Sequence, residues 1–158
     1  SANPRRDDGK APSLPNRFFG EYMKALHPYL DLGGKCREAM TFYRDVFGGE
    51  LTLNAFSDFG MDMPEPMKNL VMHSELRADG LVLHASDGQP HHPAKAGTNV
   101  SLSLQLVDEA EQTRIFDALA QGGQVLQPLA DGPWGARFGM LTDRFGLQWL
   151  LNCPKKQA

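Results

Sequence analysis

The side chains that could move a proton or hold a metal ion are few. The chain has five histidines and two cysteines. His73 and Glu75 stand two apart in VMHSELR. In a strand they would share one face, and an imidazole beside a carboxylate can shuttle a proton. A structural hydrogen bond on the sheet is the ordinary alternative. His91-His92 lies between Pro90 and Pro93 and reads as a solvated loop. Cys36 and Cys153 form no C-x-x-C motif, so a zinc or redox pair is not indicated. Two distant thiols fit a reduced, cytoplasmic protein, and a disulfide between them stays open. Cys36 falls at the start of a helix, where the dipole would lower its pKa. The chain has no G-x-S-x-G, no G-x-G-x-x-G and no G-x-x-x-x-G-K-[ST], which leaves nucleophilic-serine and nucleotide chemistry without support. Met61, Met63 and Met67 read as an adaptable cover over a cavity rather than a cofactor box.

Composition narrows the classes further. The chain has 158 residues, a net charge of −3, 41% hydrophobic and 22% charged residues. That suits one soluble domain. A pI near 5.9 and no basic stripe argue against nucleic acid. No apolar run is long enough to span a bilayer, and no signal-peptide pattern opens the chain. Residues 1–22 carry three prolines, scattered charges and no apolar period. They read as a disordered arm or start extension, with Phe18 and Phe19 the only residues suited to docking.

The elements that must position these groups follow from periodicity. Leu26, Leu30 and Leu32 alternate with His27, Tyr29 and Asp31, which predicts a half-buried strand. Ala39, Phe42, Tyr43, Val46 and Phe47 recur at helical spacing, so 36–47 is a helix, stopped by Gly48-Gly49. Residues 50–56 form a strand, and 57–68 an irregular excursion. Strands at 69–77 and 81–86 are joined by a turn at Asp79-Gly80. Residues 88–97 are a polar linker. The order then restarts with a strand at 100–106, a helix at 109–121 stopped by Gly122-Gly123, and strands at 125–129, 136–141 and 147–152.

The string is βαβββ, linker, βαβββ, an internal repeat. Gly48-Gly49 matches Gly122-Gly123, and Phe42 matches Phe116 in the same frame. Glu38-Ala39 matches Glu109-Ala110 three residues out of frame, which implies a second helix about one turn longer. The expected fold class is α+β with paired modules. Residues 23–158 form a single domain, with module one at 26–87, the linker at 88–97 and module two at 98–153.

CREAMTFYRDVFGGEL resembles the first-helix signature of the PhnB-like proteins of the vicinal oxygen chelate superfamily. That superfamily also holds glyoxalase I, bleomycin resistance proteins and extradiol dioxygenases. The resemblance continues at VMHSELRADGLVLHASD and at WGARFGMLTDRFGLQWLLN, and runs from about Tyr29 to Asn152. It implies curved mixed sheets enclosing a cavity, usually in a homodimer. Leu32, Lys35 and Arg144 depart from the usual pattern.

Each helix covers one face of its sheet, so the opposite face should line the cavity. Strand phase puts His27, Tyr29 and Asp31 there from the first strand, and His84 and Ser86 from the fourth. Ser101, Ser103 and Gln105 come from the fifth. Gln148, Leu150 and Asn152 come from the last. Trp134, after Gly132-Pro133, would lid the cavity, and Arg137 beside it could hold a carboxylate or phosphonate. Trp149, in phase with Leu147 and Leu151, belongs to the core.

Glyoxalase-like relatives place one metal ligand on each of the first, fourth, fifth and eighth strands. Laid on this chain, those positions are His27, His84, Ser101 and Leu150. Leucine cannot bind a metal and serine is a poor ligand, so the resemblance implies at most a two-histidine, incomplete site for a divalent metal. No other cofactor is expected. The reading is a protein that binds a small, partly apolar molecule in its cavity, with no nucleic-acid or membrane partner. The alternative is a metal-dependent lyase or dioxygenase of the same superfamily.

Overall fold

The computed structural model describes residues 23–89 and 91–156. The arm expected at 1–22, with Phe18 and Phe19, lies outside them. Strands β1 (Tyr29–Asp31), β2 (Glu50–Ala55), β3 (Val71–Ala78) and β4 (Leu81–Ser86) with helix α1 (Cys36–Phe47) form the first module. Strands β5 (Leu102–Gln105), β6 (Gln124–Asp131), β7 (Ala136–Thr142) and β8 (Gln148–Pro154) with α2 (Glu109–Ala120) form the second. No described helix is long and apolar enough to cross a membrane.

The repeat holds at the level of strand pairing. The sheet orders are β1-β4-β3-β2 and β5-β8-β7-β6. In both, the first strand runs parallel to the last and the remaining pairs are antiparallel. Neither four-stranded sheet closes into a barrel. The glycine pairs serve the same purpose in both modules. A Cβ on Gly49 would collide with the backbone of Arg77, and one on Gly123 with the backbone of Thr142. Each chain turn thus lies against its sheet where no side chain fits.

Some boundaries differ from expectation. Both helices have twelve residues, so the second is not a turn longer. The first strand begins at Tyr29 rather than Leu26, because Pro28 has no N–H to donate. The Pro28 carbonyl still accepts from His84 N at 3.1 Å. The excursion after β2 contains two short 3-10 turns, Phe56–Phe59 and Met67–Asn69. Phe59 and Met61 are exposed within it.

Helix α1 buries Cys36, Ala39, Met40, Tyr43 and Val46, a stripe at helical spacing. Helix α2 buries Gln112, Ile115, Phe116 and Leu119, and starts on Asp108, whose carboxylate accepts from Glu111 N at 2.9 Å. Buried Gln112 donates to the carbonyls of Arg137 and Leu151, tying α2 to the sheet. The two modules meet through their helix-bearing sides. The Tyr43 ring of α1 packs at a tilt against Trp149 of β8, 5.7 Å between centroids, as Phe47 does against Trp149 at 5.6 Å and Phe42 against Phe145 at 5.7 Å. Trp149 is in the core, as its phase predicted. With the helices together in the middle, the face of each sheet that carries no helix is left open.

Candidate functional site

The open face of module one gathers the titratable side chains. Along β3, Ser74 and Leu76 turn inward and are buried, so His73, Glu75 and Arg77 turn the other way. Strand register then sets their neighbours. Tyr29 of β1 lies opposite His84 of β4, His84 opposite Glu75 of β3, and Glu75 opposite Thr52 of β2. His73 lies opposite Asn54.

Contacts follow that rung. Tyr29 Oη and His73 Nδ1 are 3.1 Å apart. The His84 ring packs against His73 at 5.3 Å, His27 at 5.1 Å and Tyr29 at 6.1 Å between centroids. Arg77 grips Glu75 with two nitrogens, at 2.6 and 3.2 Å. That grip, and His84 behind it, hold the Glu75 carboxyl below the usual glutamate range. His84 Nε2 lies 3.1 Å from Glu75 Oε2, but it is buried and meets no hydrogen-bond geometry.

The open face of module two is different in kind. Ser103 pairs with Leu150, Leu150 with Met140, and Met140 with Gln127. Trp134 stands edge-on to Phe138 at 5.6 Å, with its indole N–H 3.4 Å from Asn152 Oδ1. Asn152 donates to Gln105, and Gln105 donates to Ser103. Aromatic and aliphatic surface is thus edged by amides and hydroxyls.

The sequence-derived residues are therefore sorted rather than pooled. Tyr29 and His84 fall on one open face, with His27 packed beside them. Ser103, Gln105, Leu150 and Trp134 fall on the other. Ser101 bonds Gln148 at 3.3 Å and shares with His27 a cleft of about 380 Å³ at the junction of the modules. Asp31 and Ser86 sit at the rim of module one, where they accept from Gly33 N and Gly88 N. Arg137 does not face the cavity. It pairs with buried Cys153, which puts it on the helix side. There its guanidinium donates to Thr113 Oγ1 at 2.8 Å and to the Glu109 carbonyl at 3.1 Å. His91 and His92 are exposed, as the loop reading had them. The sequence pairs His73 with Glu75 on one strand face, but their meeting with Tyr29 and His84 depends on register across three strands and leaves no local signal.

A family profile described as 3-demethylubiquinone-9 3-methyltransferase matches residues 24–152. The chain belongs to this PhnB-like family. A protein from Pseudomonas aeruginosa, PA1353, is 40% identical, with TM-score 0.74, over 84% of this chain and 100% of that one. A PhnB protein from Bacillus cereus, described as a putative 3-demethylubiquinone-9 3-methyltransferase, is 26% identical, with TM-score 0.66, over 82% and 99%. The fold alone is shared with a glyoxalase/bleomycin resistance/dioxygenase superfamily member from Sphaerobacter thermophilus, at 19% identity and TM-score 0.53 over 83% and 98%.

The metal set of that superfamily does not fit this PhnB-like chain. Leu150 offers no donor atom, and the Ser101 hydroxyl is engaged by Gln148. Among the described residues, no three His, Cys, Asp or Glu side chains are placed to hold a metal ion. The N-terminus of α1, which could attract an anion, is filled from within. Asp87 Oδ1 accepts from Gly34 N and Cys36 N, both at 2.8 Å, and Oδ2 from Val71 N at 2.7 Å. Cys36 is not activated there. Burial pushes its thiol up to about 11, opposite to the dipole effect expected from its position.

Proposed function

We propose that this PhnB-like protein binds a small, partly apolar molecule on the open faces of its two sheets, without the four-strand metal set of the superfamily. The observation that carries the reading is the division of labour between the faces. One presents Tyr29, His73, Glu75 and His84; the other presents Trp134, Phe138, Met140 and Leu150. A few convergent polar groups beside apolar surface are what a small-molecule site requires. Asp87 fills the N-terminus of α1, so that end of the helix is not offered to an anionic ligand.

Two open faces and an eight-residue edge strand, β6, with Val125 and Leu126 exposed, favour a homodimer in which the faces are covered. A thermal-shift screen of the purified chain over aryl and alkyl acids, alcohols and amines tests the binding reading. Ligands that raise the melting temperature of the parent but not of Trp134→Ala support it. A shift that is unchanged by Trp134→Ala and by His84→Gln overturns it. Light scattering tests the dimer, and a clean monomer at micromolar concentration counts against it.

A further inference from the structure

We propose that the open face of module two selects an uncharged aromatic molecule carrying a carbonyl oxygen, with its ring against Trp134 and its oxygen at Gln105 and Ser103. The inference rests on the binding reading and names the chemistry that one of the two faces takes. One rung of the sheet sets the layout. Phe138 of β7 lies opposite Asn152 of β8, and Asn152 lies opposite Gln105 of β5. Trp134 closes the aromatic end. It is 59% exposed, yet its ring is held. It stands edge-on to Phe138, and it lies so close to Gly132 that a Cβ there would meet it at 2.6 Å. An exposed indole fixed beside a second aromatic ring offers a flat ligand apolar area at little entropic cost.

The polar end has a direction. The Trp134 indole N–H can only donate, so the Asn152 atom facing it at 3.4 Å is the carbonyl oxygen. That turns the Asn152 amide nitrogen to Gln105 Oε1 at 3.1 Å, and the Gln105 amide nitrogen to Ser103 Oγ at 2.9 Å. Both side-chain carbonyl oxygens on this path already accept a hydrogen bond. Asn152 and Gln105 each keep a second amide hydrogen, and Ser103 keeps its hydroxyl hydrogen. Gln148 repeats the pattern, since its Oε1 accepts from Ser101 at 3.3 Å. The face therefore presents donors, and a ligand oxygen can accept from them. It presents no charge. Strands β5 and β8 contain no charged residue. Arg137 of β7 turns to the helix side, and Asp131 of β6 lies opposite it and meets Lys155 at 3.1 Å. A carboxylate would leave water for this face without a counter-charge, so a neutral carbonyl is favoured.

The test titrates the isotope-labelled full chain with four probes of similar shape and reads the side-chain N–H signals of Trp134, Gln105 and Asn152. Acetophenone carries an oxygen acceptor, ethylbenzene no polar group, α-methylbenzylammonium a charged donor, and benzoate a charged acceptor. Acetophenone should move all three signals and bind about tenfold more tightly than ethylbenzene, the effect of about one net hydrogen bond. The ammonium and benzoate should bind no better than ethylbenzene. These comparisons need no variant. Asn152→Asp puts an acceptor and a negative charge at the centre of the path, so the order should reverse, with the ammonium ahead of acetophenone. Ser103→Ala should narrow the advantage of acetophenone over ethylbenzene, and Trp134→Ala should weaken both alike. Equal binding of acetophenone and ethylbenzene at these signals overturns the proposal and leaves the wider binding reading standing. Tightest binding of the ammonium or of benzoate by the parent chain overturns it too. So does a preference for acetophenone that Asn152→Asp leaves unchanged, or the absence of any saturable shift with acetophenone.

Discussion

Tyr43 of the first module donates its phenolic hydrogen to Asp143 of the second at 2.6 Å, one hundred residues further along the chain. Asp143 also accepts from Trp149 Nε1 at 2.8 Å, and from the backbone N–H groups of Phe145 at 2.8 Å and Leu147 at 3.0 Å. A buried carboxylate with four donors is satisfied, and it joins the two modules at one point. Tyr43→Phe removes one of these bonds and should cost about 2 kcal/mol. Asp143→Ala strands all four donors and should cost about 4 kcal/mol. Urea unfolding measures both. The double variant should lose less than the sum, because the two changes share one bond.

Cys36 bears on reactivity and on alkaline stability. Burial is the largest cause of its raised pKa, and the Ser74 hydroxyl at 3.4 Å only partly offsets it. At pH 8 the folded protein should react with a thiol reagent far more slowly than the same chain in denaturant. In the unfolded chain the thiol ionises near its ordinary value of 9.0, and in the folded one near 11. Its contribution to stability is therefore complete below pH 9 and is lost as pH rises from 9 to 11. About 3 kcal/mol should disappear across that window, and Cys36→Ser should flatten it.

Gly139 on β7 is a packing position. A Cβ there would meet Phe116 Cε2 at 2.8 Å, Leu129 Cδ2 at 2.9 Å and Gln127 O at 3.1 Å. Gly139→Ala should cost about 1–3 kcal/mol through overpacking between α2 and the sheet. Trimming the neighbour with Leu129→Ala should reduce that penalty, as a thermal-melt cycle would show.

Glu75 should titrate below the ordinary glutamate value of about 4.3, chiefly because Arg77 bonds it. The carboxylate's favourable interactions are present at neutral pH. They are lost as pH falls through its lowered folded-state pKa. Carbonyl NMR of the labelled side chain should show the midpoint move upward in Arg77→Gln. An unmoved midpoint would mean that the guanidinium does not hold the carboxylate in solution.

The repeated architecture was legible because it rests on local signals. The glycine pairs at 48–49 and 122–123 stop helices and lie against sheets, and alternation along residues 102–105 and 148–152 fixes which side chains turn outward. The site was legible only in part. Phase along one strand puts His84 and Tyr29 on the open face, but only register between strands brings His73 and Glu75 to them. Arg137 was misplaced because its nearness to Trp134 in sequence says nothing of the face it occupies. Its pairing with Cys153 decides that. The hub at Asp143 joins residues far apart in the chain, and nothing near Tyr43 announces it.

Binding of a small, partly apolar molecule to the open faces is tested most directly by chemical-shift mapping on the isotope-labelled full chain, using the compounds that raise its melting temperature. The largest shifts should fall on Tyr29, His73, Glu75 and His84 in one module and on Trp134, Phe138 and Leu150 in the other. Shifts confined to the groove beside α1, around Arg37, Thr41 and Arg144, with the open faces unmoved, would contradict it.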